Sequence, residues 1–247
     1  METIKIFDLE IANVTLARAV EIIDQALVAR SPTRVYFVNA DCLNTSIRDK
    51  KYRDILNEAE YVFGDGFGVR IASRMIGTPI VDNVNGTDML PLLCELCSRK
   101  GHSLYLLGAK PGIGAKAKER LEAQYDGLDI RGSRDGYFDI ESQSDEIIDD
   151  INDSQADILL VAFGAPLQEK WIYAHHQHLN CPVKIGVGGL FDFYSGTKPR
   201  APLWVRRLGF EWFHRLLHDP RRLWRRYIIG NPLFLLRLLR QSMAGKL

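Results

Sequence analysis

The residue best placed to do chemistry in this chain is Asp65. It stands between Gly64 and Gly66, directly after the apolar run 61–63. A carboxylate with so little bulk beside it can reach a hydroxyl proton and act as a general base. The same aspartate would also serve as the N-cap of a helix over 66–75, because Asp is a good cap. Other reactive patterns are missing. The chain has no H-E-x-x-H, no G-x-S-x-G, no EF-hand loop, and no aspartates spaced Asp-x-Asp to hold a divalent ion on a sugar diphosphate. His175, His176 and His178 cluster after Trp171, where a solvated helix face explains them better than metal ligation does. Cys94 and Cys97 form a C-x-x-C, the spacing of a redox or zinc half-site, but they lie in the apolar helical pattern 92–97 and no second Cys/His pair matches them. Neither a metal nor a cofactor is called for. The other cysteines are Cys42 and Cys181, and residues 1–11 carry Glu2, Lys5, Asp8 and Glu10 in place of a secretory leader, which predicts reduced thiols in cytoplasm.

The second chemistry on offer is anion binding. Gly108-Ala109-Lys110-Pro111-Gly112-Ile113-Gly114 joins a strand-like run to a helical one. Glycines let a backbone come close to a ligand, and free N–H groups at a helix start attract anions, so this loop suits a diphosphate. An ordinary tight βα turn has the same composition. It is neither a P-loop nor a clean dinucleotide fingerprint, since the Gly-Lys-Ser/Thr and the G-x-G-x-x-G spacing are both missing.

Basic residues gather at the other end. From Arg200 onward Arg200, Arg206, Arg207, Arg215, Arg221, Arg222, Arg225, Arg226, Arg237 and Arg240 face only Glu211 and Asp219 as acidic partners. On a helical wheel of 211–229, Trp212, Phe213, Leu216, Leu217, Leu223, Trp224, Tyr227 and Ile228 recur at three- and four-residue steps, flanked by Arg215, Arg222, Arg225 and Arg226. Pro220 predicts two short helices there. Arg-flanked, Trp-rich amphipathic helices suit a membrane surface, each basic residue adding about 1 kcal/mol near an anionic leaflet. Helices packed on the sheet with solvated arginines would read alike. Nucleic acid fits poorly: the arginines alternate with large aliphatics, and the net charge of +1 leaves no basic face elsewhere.

These residues need a frame to hold them. Strand-like runs over 34–38, 61–63, 103–107, 128–130, 158–163 and 183–187 alternate with amphipathic patterns over 15–29, 49–57, 88–100, 114–124, 145–152 and 168–178, with Thr15 and Thr87 as helix caps. Such alternation predicts an α/β fold: a mainly parallel, Rossmann-like sheet with helices on both faces, plus a helical basic C-terminal appendage. With 46% hydrophobic residues the chain can bury such a core. The division expected is an α/β catalytic domain over 1–199 and an Arg-rich amphipathic appendage over 200–247. No apolar run approaches the roughly 20 residues needed to span a bilayer, so membrane contact would be peripheral. Ligands of such sheets bind beyond the carboxyl ends of the strands. The loops there are Asn39-Ala40-Asp41, Gly64-Asp65-Gly66-Phe67-Gly68, the Gly108 loop, Gly164-Ala165-Pro166-Leu167-Gln168-Glu169 and Gly188-Gly189-Leu190-Phe191-Asp192.

Taken in order, six stretches resemble the WecG/TagA/CpsF glycosyltransferases. They are Gly64-Asp65-Gly66, Leu106-Leu107-Gly108 with Pro111-Gly112, Arg134-Asp135-Gly136-Tyr137-Phe138, Gly164 to Trp171, Gly186 to Asp192, and Arg200-Ala201-Pro202 with Glu211-Trp212 and Pro220-Arg221-Arg222. The resemblance runs from about residue 4 to 227. It implies an inverting, metal-independent enzyme at the inner face of the cell membrane. Members of that family move N-acetylmannosamine, its uronic acid or glucose from a UDP-sugar to a sugar on a polyprenyl diphosphate, in the making of wall teichoic acid, enterobacterial common antigen, capsule or exopolysaccharide. It also implies roles: Asp65 as general base, Asn39 as an active-site amide, Gln168 as an amide near the donor. Arg215, Arg222 and Arg225 would belong to a mobile appendage that closes over the site. Gly66, Gly108, Pro111, Gly112, Gly136, Tyr137, Gly164, Pro166, Gly188, Gly189 and Asp192 would contact substrates. The chain departs from the pattern at Phe37, where relatives often have Thr, so any hydroxyl contact from that position is lost. Two rival readings share the architecture: a nucleotide-dependent oxidoreductase or epimerase, and a non-catalytic sugar-nucleotide-binding membrane protein. The oligomeric state stays open, a homo-oligomer included.

Overall fold

The computed structural model describes residues 1–243. Residues 244–247 of the expected appendage lie outside the described residues. Eight strands form one sheet: β1 (Thr3–Ile6), β2 (Leu9–Ala12), β3 (Thr33–Val38), β4 (Tyr61–Gly64), β5 (Ser103–Gly108), β6 (Asp129–Arg134), β7 (Ile158–Ala162) and β8 (Val183–Gly186). Their order across the sheet is β1-β2-β4-β3-β8-β7-β5-β6. β1 runs antiparallel to β2, and the other pairings are parallel. β3, β5, β7 and β8 are buried along their whole length. A strand covered on both faces needs apolar side chains at consecutive positions, which is why these segments read as nearly unbroken apolar runs.

The helices are α1 (Leu16–Val28), α2 (Ala40–Arg48), α3 (Lys50–Asn57), α4 (Phe67–Met75), α5 (Gly86–Lys100), α6 (Ile113–Gln124), α7 (Ile140–Ser154), α8 (Leu167–His175), α9 (Leu190–Tyr194), α10 (Leu203–Arg207), α11 (Glu211–His218), α12 (Pro220–Trp224) and α13 (Asn231–Met243). They cover both faces, as the alternation predicts. Ile23 of α1, Leu93 of α5, Leu121 of α6 and Phe191 of α9 build one core. Leu43 of α2, Tyr52 of α3, Val69 of α4, Ile147 of α7 and Trp171 of α8 build the other.

Three local features differ from the sequence reading. The β1–β2 hairpin turns at Phe7 and Asp8, both at positive φ (50° and 64°). Such turns are usually marked by Asn-Gly or Asp-Gly, and here nothing in the residue types marks one. α2 fills what reads as a loop after Asn39; its nine residues are too few to show a helical period. The cap of α5 is Asn85, whose Oδ1 accepts the Asp88 N–H at 2.9 Å, and not Thr87. Thr15 caps α1 as expected, accepting the Arg18 N–H at 3.2 Å.

Pro220 takes the first position of α12 and separates it from α11. After α12 the chain stays helical, widening to a π-helical turn over Arg225–Gly230 before α13. Pro232 can donate no backbone hydrogen bond and its ring crowds the carbonyl four residues back. A widened turn just before it lets the helix continue. α13 packs into the same core as α2: Phe234 and Leu238 are buried there, with the Phe234 ring edge-on to Phe7 at 5.7 Å. Arg237 Nη1 donates to Asn44 Oδ1 at 2.7 Å, and Asn44 Nδ2 donates to the Gly230 carbonyl at 2.8 Å. Leu217, Ile228, Ile229, Leu236 and Leu239 are exposed on the outer side, interleaved with exposed Arg221, Arg225 and Arg240. Among the described residues no helix is long and apolar enough to cross a membrane.

Candidate active site

Backbone register brings the first two residues of the site together. β3 and β4 pair up to Val38 opposite Gly64. One step further Asn39 and Asp65 leave the two strands side by side, with the Asp65 N–H held by the Val38 carbonyl at 2.8 Å. On its other side β3 pairs with β8. The chain after β3 turns into α2 on one face, while the chain after β8 turns into α9 on the other. Adjacent strands whose following loops part to opposite faces leave a crevice at their carboxyl ends.

That crevice is a cleft of about 330 Å³. Its floor is Asn39, Asp65, Gly164, Gln168, Gly186, Gly188 and Gly189; Asn85, Gly86 and Thr87 form one wall; Glu211, Arg215, Arg222 and Arg226 reach over it from the C-terminal helices. Asp65 does not cap α4. Gly66 holds that position, at φ +89°, with no side-chain capping bond, and its N–H donates to Asn83 Oδ1 at 2.5 Å. The left-handed φ suits glycine and turns the chain away at once. The Asp65 carboxyl is thus left in the cleft, half-buried. Burial, with help from the nearby Glu211 charge, raises its pKa to about 6; Arg215 and Arg226 pull the other way.

The two amides do different jobs. Asn39 Oδ1 accepts the N–H groups of Asp41 (3.0 Å) and Cys42 (3.2 Å), capping α2 from the cleft edge. Gln168 is buried, and its Oε1 accepts from Gly164 N–H (3.1 Å) and Gly188 N–H (2.9 Å), tying together the loops that follow β7 and β8. The arginines are spread along the cleft. Arg215 lies over the Phe193 ring at 5.4 Å, and Arg222 Nε donates to Asp219 Oδ2 at 2.7 Å. Arg226 Nε is shut off from solvent, 3.4 Å from Asp41 Oδ2 but without a hydrogen bond. Arg200 and Arg206 both bind Asp88 Oδ1, at 2.6 and 3.2 Å, fastening the start of the C-terminal segment beside the Asn85–Thr87 wall.

A family model described as "Glycosyl transferase WecG/TagA/CpsF family" matches residues 4–247. The chain belongs to this glycosyltransferase family. Similar proteins include an N-acetylglucosaminyldiphosphoundecaprenol N-acetyl-beta-D-mannosaminyltransferase of Bacillus subtilis, 29% identical over 100% of this chain and 94% of the relative. Proteins of the same description from Bacillus spizizenii (32% identical, 81% of this chain and 76% of the relative) and Staphylococcus aureus strain MRSA252 (28%, 98% and 94%) are also similar. A member of the WecG/TagA/CpsF family is a glycosyltransferase, so the oxidoreductase and non-catalytic readings drop out.

Of the residues that the resemblance to the WecG/TagA/CpsF enzymes singles out, Asp65, Asn39, Gln168, Gly164, Gly188, Gly189, Arg215 and Arg222 line the cleft. Gly66 and Pro166 are each one residue behind a lining position. Asp192 sits in an adjoining hollow, where its Oδ2 meets Lys198 Nζ at 2.9 Å. Gly108, Pro111, Gly112, Gly136 and Tyr137 do not line the cleft. Gly108 is a packing glycine: a Cβ there would stand 2.7 Å from the Ala162 carbonyl. Gly136 packs against Phe163, which does line the cleft, while the Tyr137 side chain is exposed. Arg225 lies over Trp224 at 5.4 Å, and its neighbour Arg226 enters the cleft instead. Sequence reasoning missed Asp41, Asn85, Glu211 and Arg226 as cleft residues. Glu211 carried a signal, as one of only two acids in the Arg-rich segment. The choice between Arg225 and Arg226 carried none, because adjacent helical residues point in different directions and only the packing of the segment decides which faces inward.

Proposed function

We propose that this glycosyltransferase moves N-acetylmannosamine, or a closely related hexose, from a UDP-sugar to N-acetylglucosamine on a polyprenyl diphosphate, in the synthesis of a cell-surface polymer. The observation that carries the reading is the Asp65 carboxyl group, its pKa raised by burial, lying in the same cleft as Arg215, Arg222 and Arg226. The choice of sugar and lipid carrier follows the names of the similar Bacillus and Staphylococcus proteins. In the reaction Asp65 takes the acceptor hydroxyl proton as that oxygen attacks the anomeric carbon. The bond from this carbon to the diphosphate oxygen breaks, UDP leaves, and the configuration inverts. Arginines face the leaving charge, a stabilisation that works well where water is scarce. No metal ion is assigned a part.

The acceptor's side of the cleft also suits this reading. A second hollow of about 240 Å³ adjoins it and shares Asn39, Asp41 and Arg226 with it. Its other lining includes Phe67, Ile71, Phe210, Trp212, Phe234 and Leu235. An apolar hollow that joins the cleft matches the prenyl chain of the acceptor. The exposed apolar and arginine side chains of α11–α13 would rest on the inner face of the membrane that holds the acceptor. The test is a panel of UDP-sugars with N-acetylglucosaminyl-diphosphoundecaprenol, scored by UDP release. Release with UDP-N-acetylmannosamine is expected, and no release with any donor would overturn the reading.

A further inference from the structure

Behind the cleft lies a buried carboxyl group that the reaction does not use. Glu169 is fully buried in α8, and its Oε2 has no hydrogen-bond partner. Its Oε1 accepts from Gln168 Nε2 at 2.8 Å. A carboxylate sealed in this way is costly, and its pKa is raised to about 7, first of all by burial. A methionine would fill the space without that cost, but it would leave the Gln168 amide without a good acceptor. The hydrogen bond that its carboxyl group makes is to its neighbour, Gln168.

What Gln168 does depends on which way its amide points. Two backbone N–H groups, of Gly164 and Gly188, converge on one atom of that amide. Only the carbonyl oxygen can accept both, so the NH2 group must point the other way and find an acceptor. Glu169 Oε1 is that acceptor. With the amide reversed, three donor groups would meet in a buried space, and both loops would lose their tie. A second observation points the same way. A Cβ on Gly186 would come within 2.9 Å of Gln168 Nε2, so β8 carries no side chain where the amide passes beneath it.

We propose that Glu169 is a positioning residue for donor binding: it fixes the Gln168 amide so that the Gly164 and Gly188 loops keep their spacing across the cleft. This rests on the reading of the cleft as the sugar-nucleotide site. Both glycine loops belong to the cleft floor, so their spacing sets the fit of a nucleotide diphosphate.

The test compares Glu169→Asp with Glu169→Gln, using calorimetric titration with UDP alone and then donor KM and kcat. Asp keeps the charge but withdraws the acceptor by one methylene. Gln keeps the acceptor at full reach and loses the charge. Weakening of UDP binding on the order of tenfold is expected for Asp, the size of one charge-assisted hydrogen bond, with donor KM rising and kcat within about threefold of wild type. Gln should bind UDP within about threefold of wild type. In a Gln168→Ala background, the Asp change should have no further effect. Wild-type affinity in Glu169→Asp, a loss confined to Glu169→Gln, or additive effects in the double variant would each overturn the role of Glu169. Absence of UDP binding by the wild type would instead overturn the reading of the cleft. If Glu169→Asp does not fold, Gly186→Ala tests the same contact from the strand side, with the same loss expected and unchanged affinity counting against the proposal.

Discussion

Replacing Asp65 by Asn separates what its charge does for the reaction from what it costs the fold. The pKa in the folded protein is about 6, against 3.8 for an unperturbed aspartate. A difference of about 2 units corresponds to about 3 kcal/mol, at about 1.36 kcal/mol each. Asp65 keeps some contact with solvent through the cleft, so an effect of about 1–3 kcal/mol is the range to expect. The folded protein binds this proton more tightly than the unfolded chain does. Its contribution is therefore fully favourable below pH 4, fades as pH rises through 6, and is lost above that. Asn carries no charge at any of these pH values. Relative to wild type the variant should gain nothing at pH 3.5 and about 2–12 °C in Tm at pH 8, taking about 2–4 °C per kcal/mol for a chain of this size. Activity should move oppositely. Wild-type kcat/KM should fall by about tenfold from pH 8 to pH 5 along a limb with an apparent pKa near 6, and the variant should lose at least ~10²-fold at pH 8. Thermal melts at the two pH values and a UDP-release assay across pH 5–8 measure both. A flat wild-type profile together with near-normal turnover in the variant would refute the general-base role. A variant that melts lower than wild type at pH 8 would refute the claim that this carboxylate is costly to bury.

Four further outcomes are expected. Arg226→Ala should lower kcat/KM by about 10²-fold, with weaker UDP binding by calorimetry, since an inward guanidinium faces the leaving diphosphate; unchanged affinity would remove it from the donor site. Changing Arg221, Arg225 and Arg240 together to Ala should weaken co-sedimentation with anionic vesicles by about 10²-fold, from about 1 kcal/mol per basic residue, while neutral vesicles show no difference. Leu238→Ala should lower stability by about 2–5 kcal/mol in urea titration and speed proteolysis within α13; an unchanged midpoint would contradict the docking of that helix in the core. The four cysteines are buried and free, with burial holding the Cys94 thiol at a pKa of about 12 and Cys42 and Cys181 at about 11, so a thiol reagent should react with none of them until the chain unfolds.

The sequence by itself determined the frame of this protein. Strands buried on both faces, such as 158–162, read as nearly continuous apolar runs, and helices lying on them show a 3.6-residue period, so both patterns are written locally. The loop carrying Asp65 was legible for the same reason: a strand end followed by glycine, aspartate and glycine is a local feature. Only the tertiary structure decided which loops meet. β8 lies beside β3 although some 145 residues separate them in sequence, and that pairing puts Gly188 near Asn39 and Asp65 while leaving the Gly108 loop two strands beyond β8. The same is true of the cover over the site. Adjacent arginines are equal in sequence, and the packing of the C-terminal helices puts Arg226 in the cleft and Arg225 over Trp224. Gln168 and Glu169 read as the start of an amphipathic helix; the two glycine N–H groups that give them a task come from loops 24 residues apart, and only packing brings those groups to one oxygen.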